Sequence, residues 1–256
     1  MGVGFIALDD AHYADYSEHE TQQLTVRMLA RELNTRRVIA FVGSGVSRNY
    51  GAPSWEEMVR SLAKSANKQR SQSCPHFIQA MLERAVKKGS ARQLGSNDLL
   101  LTLQACQEAY GTDERFREAV ERSLTYTRSE TCDPLAALIR LGIRRFVTTN
   151  YDDEIELALK RCADVPEPGE SADHVGAVAH SFWVGCRDTA GVLQFAVDAP
   201  GYRYGVLHCH GRSSQQASQL VLTTRDYQQA YLGKTQAQGR DRAAMELILS
   251  SNPVLF

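Results

Sequence analysis

Apolar residues fall into two arrangements along this chain, and their order predicts an α/β protein. The runs Val38 to Val42 (VIAFV) and Arg145 to Thr148 (RFVT) lack the alternation of a half-solvated strand, so they read as parallel strands buried on both faces. Further strand-like runs lie at Val178 to Val184, Val192 to Val197, Tyr204 to His208 and Leu220 to Thr223, and Pro253 to Phe256 reads as a strand at the end of the chain. Helical periodicity fills most of the rest. Ser17 and Glu20 form a capping-box pattern before a helix through about Asn34, whose Leu24, Met28 and Leu29 are expected to pack on the sheet or on a neighbouring subunit. A second start is predicted at Pro53-Ser54-Trp55-Glu56-Glu57, with Ser54 as N-cap, Glu57 at the third helical position, and Met58, Val59 and Leu62 on the apolar face.

From about residue 68 to 139 nearly every pattern is helical, divided by turn-formers at Ser73-Cys74-Pro75, Lys88-Gly89-Ser90, Gly95-Ser96-Asn97 and Gly111-Thr112-Asp113. That is too long for a simple crossover, so it predicts a helical module inserted between the first two strands and able to cover a site. After the second strand come a helix from Asp152 to about Arg161, a loop over 162–176, and a last amphipathic helix from about Ala237 to Ser250. The predicted fold is a Rossmann-like parallel sheet flanked by helices, forming one domain over residues 1–256 with a helical insert at about 68–139.

Composition narrows the partners. With 256 residues, 43% hydrophobic and 23% charged, the chain has the material for a buried core. Its 29 basic and 30 acidic residues leave a net charge of −1, so neither nucleic acid nor an anionic membrane is expected as a direct partner. The six cysteines are scattered without the C-x-x-C spacing of a structural zinc site, which favours free thiols in a reducing cytosol and no metal. Val3 to Leu8 lacks the basic flank of a signal peptide, and no stretch reaches the roughly 20 apolar residues of a membrane span, so a cytoplasmic location is expected.

Three strand-to-loop segments carry the candidate chemistry. In Gly43-Ser44-Gly45-Val46-Ser47, residues without Cβ would let backbone N–H groups approach a pyrophosphate; a tight strand-to-helix turn is the equal alternative. Arg48 stands where a G-x-G-x-x-G fingerprint has its third glycine, and the Lys-Ser/Thr of a P-loop is missing. Thr148-Thr149-Asn150-Tyr151-Asp152 ends a strand in side chains able to bind ribose hydroxyls or a carboxamide, although Asn150 or Asp152 could instead cap the next helix. In Val206 to Ser214 (VLHCHGRSS), His208 and His210 are read on a strand ending at Gly211 with side chains on opposite faces, so one of them is expected to serve the site. His210, nearer the loop and followed by glycine, is the better candidate base, and the pair alone makes a poor zinc site.

In this order the segments resemble the sirtuin family, more closely its prokaryotic branch of effector domains in antiphage defence. Gly43-Ser44-Gly45-Val46-Ser47 is similar to the family's Gly-Ala-Gly-x-Ser loop, and Gly51-Ala52-Pro53-Ser54-Trp55 to its Gly-Ile-Pro-Asp-Phe segment. Thr149-Asn150-Tyr151-Asp152 stands in for Gln-Asn-Ile-Asp, and His210-Gly211 for the His-Gly motif; Leu222-Thr223-Thr224-Arg225-Asp226-Tyr227 resembles a further segment of the defence branch. The resemblance implies NAD as substrate. It implies that Gly43, Ser44, Gly45 and Ser47 hold its phosphates, that Pro53, Trp55 and Thr149 line its pocket, and that Asp152 contacts the nicotinamide amide. Asn150 and His210 are implied as the catalytic pair, acting on a ribose hydroxyl or a water.

Two departures from the family shape the expected activity. The four-cysteine zinc ribbon of protein deacylases is missing, since Cys209 is the one cysteine after Cys186, and Trp55-Glu56 replaces the family's Phe-Arg. Water then becomes the expected acceptor, which makes the expected activity NAD hydrolysis to nicotinamide and ADP-ribose. The alternatives are an NAD-dependent deacylase or ADP-ribosyl transferase, and a non-catalytic NAD or ADP-ribose sensor. The glycine-serine loop that follows the last strand in the family is not in this sequence. The chain is therefore expected to be the N-terminal part of a longer protein whose C-terminal sensor or assembly domain organises a homo-oligomer.

Overall fold

The computed structural model describes residues 18–34, 38–69, 74–86, 95–129, 132–162, 182–186, 189–196, 202–213, 220–232, 245–246, 248–250, 252 and 254–255. Five strands, β1 (Ile39–Val42), β2 (Arg145–Thr148), β3 (Phe182–Cys186), β4 (Tyr204–His208) and β5 (Val254–Leu255), form one parallel sheet in the order β3-β4-β2-β1-β5. Both faces are covered, as an all-parallel sheet requires. On one face Ala40, Val42, Phe146 and Val206 meet Leu135 and Ile139 of α7 (Pro134–Arg140) and Ile155 and Leu159 of α8 (Glu154–Cys162). On the other, Ile39, Val147 and Leu207 meet Val192 and Phe195 of α9 (Thr189–Ala196) and Ile248.

The register decides where function can sit. Val42 pairs with Thr148, and Thr148 with His208, so three neighbouring strands end level with one another. The Thr148 hydroxyl donates to the Val42 carbonyl at 2.8 Å, and the Cys209 N–H donates to the Thr148 carbonyl at 2.8 Å, closing the sheet just where its loops begin.

Between β1 and β2 lie α2 (Ser44–Arg48), α3 (Trp55–Gln69), α4 (His76–Val86), α5 (Ser96–Tyr110), α6 (Asp113–Leu124) and α7. The middle four share a core of their own, built from Val59, Leu62, Leu82, Leu103, Phe116 and Val120, and this core reaches the loop after β2 at Tyr151 and the non-strand segment at Leu220 and Leu222. The α3 start forms the expected reciprocal box: Ser54 N–H donates to Glu57 Oε2 (2.7 Å), and Glu57 N–H donates to Ser54 Oγ (3.2 Å). Asp133 caps α7 by accepting from the Ala136 N–H at 2.9 Å, with Pro134 at the helix start.

Two expectations are corrected. Val192 to Val197 is not a strand: Thr189–Ala196 is helical, with Gly191, Val192 and Phe195 buried and Leu193 and Gln194 exposed, the spacing of one helix face. Leu220 to Thr223 is buried but belongs to no strand. On α1 (Glu18–Asn34), Leu29 and Leu33 pack on the core, whereas Met28 is exposed. Ser17, residues 163–176, and residues 178–181 of the run read as a strand from Val178 lie outside the described residues. Of the last predicted helix, residues 245–246 and 248–250 are described and helical.

Candidate functional site

The level strand ends place the three sequence segments around one cavity of about 320 Å³, at the small end of the range for ligand pockets. Ser44 and Ser47 come from the β1 loop, Thr149 to Asp152 from the β2 loop, and His210 from the β4 loop; Pro53, Trp55 and Met58 close one side, and Leu124, Tyr126 and Tyr227 another. Gly43 and Gly45 sit beside it without lining it. A Cβ built on either glycine would meet nothing within 4 Å, and neither has a positive φ, so the fold itself places no demand for glycine there. That open space is what a ligand backed against the loop would need.

The polar groups form one chain of hydrogen bonds. Asn150 Nδ2 donates to the hydroxyl of buried Ser47 at 2.7 Å, and that hydroxyl donates in turn to Asp152. Because Ser47 gives its proton to the carboxylate, it must accept from Asn150; the amide is thereby oriented, with Oδ1 left as its acceptor for a ligand hydroxyl or a water. The Asn150 backbone is held as well: its N–H donates to Thr148 Oγ1 (3.0 Å) and its carbonyl accepts from His208 Nδ1 (3.1 Å).

Asp152 lines the cavity, and its Oδ1 accepts from the Glu154 N–H at 3.2 Å at the start of α8, the capping contact considered from the sequence. Burial raises its pKa above the ordinary carboxylate value, against the opposing hydrogen bonds from Ser47 and the Glu154 backbone. Such a carboxylate in a cleft is a mark of a functional group.

His208 and His210 do different work. His208 lies on the face covered by α8, fully buried, with Nδ1 on the Asn150 carbonyl and Nε2 2.9 Å from Glu156 Oε1. Both ring nitrogens thus lie within hydrogen-bond distance of an oxygen. Burial alone would raise the Glu156 pKa; the hydrogen bond and charge of His208, with Arg212 3.3 Å away, outweigh it and hold the value below the ordinary one. The expected strand to Gly211 with the two histidines on opposite faces is corrected: residues two apart on a strand share a face, and β4 ends at His208. The turn that follows carries His210 to the cavity, and Gly211 completes it at φ 82°, a conformation that favours glycine.

His210 lies among aromatic rings. Tyr227 meets it edge-on at 5.2 Å between centroids, Tyr151 lies at 6.3 Å, and the Tyr231 hydroxyl is 2.9 Å from Nε2. Tyr151 is itself fixed, its hydroxyl donating to the Val221 carbonyl at 2.6 Å and its ring stacked with Trp55 at 6.1 Å.

The tyrosines are what sequence reasoning left out. Tyr151 and Tyr227 lay inside quoted motifs without a role, and nothing in the local pattern marks Tyr126. Its hydroxyl donates to buried Glu154 at 2.7 Å, which also holds Arg128 at 3.0 Å, so the segment from Thr125 to Ser129 is strapped across the site. Gly51 accommodates that strap: at φ 93°, a Cβ there would come within 2.9 Å of the Thr127 carbonyl.

Among the described residues, no group of three or more His, Cys, Asp or Glu could hold a metal ion. No helix among them is long and apolar enough to cross a membrane.

A family model described as a SIR2-like domain matches residues 144–256, which include β2 to β5, the Asn150 and His210 segments and Tyr227. The match supports a sirtuin-like affiliation and an NAD-related function for this part of the chain; the Gly43 to Ser47 loop lies outside it. No curated protein matches the chain.

Proposed function

We propose that this protein is an NAD hydrolase that cleaves the nicotinamide–ribose bond to give nicotinamide and ADP-ribose. The observation that carries the reading is the one cavity lined by Asn150, Asp152 and His210, with Asn150 oriented through Ser47. NAD binding alone would not call for an oriented amide in the same cavity as an imidazole. Nicotinamide leaves a pyridinium as a neutral molecule, so no acid need protonate it; catalysis reduces to holding the ribose and stabilising the positive charge that develops on it. Asn150 Oδ1 would orient a ribose hydroxyl or the attacking water, His210 would accept a proton, and Asp152 would hold the nicotinamide amide. Gly43, Ser44 and Gly45 would face the phosphates, with Pro53, Trp55 and Thr149 framing the nicotinamide end. The Ser47 hydroxyl, committed to Asn150 and Asp152, would serve the phosphates only through the loop it anchors. The sequence supplies no zinc ribbon to wall an acyl-lysine groove, which favours water as acceptor. An NAD-depleting effector in antiphage defence, cytoplasmic and assembled as a homo-oligomer by a C-terminal domain, is the setting the family resemblance suggests.

The test is to incubate the purified chain with NAD and quantify both products by chromatography, beside His210→Ala and Asn150→Ala. Peptide-independent release of both, reduced by roughly 100-fold or more in each variant, is expected. Wild-type rates in either variant would remove the catalytic assignment. Binding without turnover would make the protein a sensor, and release that needs an added peptide would make it a transferase or deacylase.

A further inference from the structure

The segment from Leu220 to Tyr227, given no role in the reaction above, delivers one phenol to the cavity and braces it. Leu222 packs in the helical core, and the Val221 N–H donates to the His210 carbonyl at 3.0 Å, which ties the segment to the turn after β4. Asp226 Oδ2 accepts from the Leu222 N–H (3.2 Å), the Thr223 N–H (2.8 Å) and the Thr223 hydroxyl (2.9 Å), while Thr223 Oγ1 accepts from the Asp226 N–H (3.3 Å). The short helix Thr224–Tyr227 therefore starts on a reciprocal capping box. At its end the Tyr227 N–H donates to the Thr223 carbonyl at 3.0 Å, and the Tyr227 ring lies 5.2 Å from His210 and 6.0 Å from Tyr231 between centroids. Backbone and ring are both held, so the fold sets where the hydroxyl stands.

The hydroxyl itself does nothing for the fold. Among the described residues three tyrosines line the cavity, and two of them spend their hydroxyls on the protein: Tyr126 donates to Glu154 at 2.7 Å and Tyr151 to the Val221 carbonyl at 2.6 Å. No described residue forms a hydrogen bond with the Tyr227 hydroxyl, and burial is the one cause that raises its pKa above the ordinary phenol value. It is a donor at neutral pH. Tyrosine hydroxyls drawn out of bulk water usually have a partner, because a desolvated donor left unpaired costs free energy. We propose that Tyr227 is a substrate-contacting residue, its hydroxyl donating to an oxygen of the nicotinamide-side ribose. The inference rests on the reading of the cavity as an NAD site. The choice of ribose follows from the neighbour: Tyr227 meets His210 edge-on, and His210 is the group set to act where nicotinamide leaves the sugar. That ribose is kept in the product ADP-ribose, so the contact strengthens binding of substrate and product alike and leaves the chemical step itself unchanged.

The experiment compares two ligands by titration calorimetry on the full chain and on Tyr227→Phe, which keeps the ring and removes only the hydroxyl. ADP-ribose carries the ribose in question; ADP shares the adenosine and the diphosphate but lacks it. In the variant the affinity for ADP-ribose should fall about 3- to 10-fold, the worth of one neutral hydrogen bond, while the affinity for ADP stays at the wild-type value. For NAD cleavage KM should rise by the same factor with kcat within about twofold of wild type, the mark of a contact made equally in the ground and transition states. Tyr202→Phe, an exposed phenol outside the site, should change none of these. An unaltered affinity for ADP-ribose overturns the proposal. An equal fall for ADP also overturns it, since the phenol would then serve the fold of the site and not the ribose. If the chain binds NAD and releases no nicotinamide, the hydrolase reading fails by itself and the comparison of ADP-ribose with ADP still decides the contact; a wild-type chain that binds neither NAD nor ADP-ribose overturns the NAD reading and this contact with it.

Discussion

Replacing Glu156 with alanine should destabilise the protein far more than loss of an ordinary surface charge. Glu156 and His208 are essentially inaccessible, at 3% and 0% of their surface, and Arg212 keeps its own link to Asp153 at 2.8 Å. Removing the carboxylate leaves a buried imidazole whose Nε2 has lost its hydrogen-bond partner, and breaking a buried pair from one side costs about 3–5 kcal/mol. For a chain of this size each kcal/mol moves the melting temperature by about 2–4 °C, so a fall of about 6–20 °C is expected by calorimetry. Glu156→Gln keeps the volume and an acceptor for His208 and should lose less. The effect also depends on pH. Because the folded Glu156 value is depressed, its stabilisation is complete above the ordinary glutamate value of 4.5 and is lost as pH falls below it through the folded value; in Glu156→Gln this part of the acid dependence should disappear. The double change Glu156→Leu/His208→Leu removes both charges and should recover much of the melting temperature. It still strips the Asn150 carbonyl of its donor, so nicotinamide release should remain impaired. A melting temperature for Glu156→Ala within about 2 °C of wild type, under 1 kcal/mol, would refute the reasoning.

Two further outcomes follow from the loop ends. Asp152→Asn removes a carboxylate whose value burial raises, so its ionisation opposes folding at neutral pH and ceases to do so as pH falls through the raised value. The melting temperature at pH 7 should hold or rise, with a flatter acid dependence, while NAD cleavage falls; a clear loss of stability would show that the carboxylate serves the fold. Gly45→Ala meets no neighbour and lies in a helix, so stability should rise by about 0.4–1 kcal/mol, while NAD affinity measured by calorimetry drops by about tenfold, or ~1.4 kcal/mol. Unchanged affinity would reduce the Gly43 to Ser47 loop to a turn.

The sheet was legible where apolar runs were short and ended in small or polar residues: β2 and β4 fall on their predicted residues, and β1 starts one residue later than expected. The same criterion failed for Val192 to Val197, because a run of six with five apolar residues fits a buried strand and a buried helix equally well, and only the burial of Val192 and Phe195 with exposure of Leu193 separates them. Leu220 to Thr223 failed differently. It is apolar because it is buried against the helical core and the β4 loop, where Val221 bonds to His210 and Tyr151 instead of to a strand. The candidate site residues could be named from motifs, but not how they are joined. The bond from Asn150 to Ser47 spans 103 positions and that from His208 to Glu156 spans 52, and such pairings exist only once β1, β2 and β4 stand in register.

Three of the four carboxylates between residues 152 and 156 separate what the fold needs from what it merely tolerates. Glu154 holds Tyr126 and Arg128, and Glu156 holds His208; each is buried against partners that compensate its charge. Asp152 has weaker support, a serine hydroxyl and one backbone N–H, and burial shifts it in the opposite direction from Glu156. A sequence under pressure for stability alone would favour asparagine there, since an amide can cap α8 without the cost of a buried charge. The carboxylate instead lines the cavity and orients Asn150 through Ser47, which places the strain at the end of β2 where a ligand would meet it. His210 has a parallel arrangement in the turn after β4, its backbone and ring held by a segment more than ten residues further along the chain. In both cases the sheet register sets where the loop begins, and contacts from a second layer hold the side chain at the cavity.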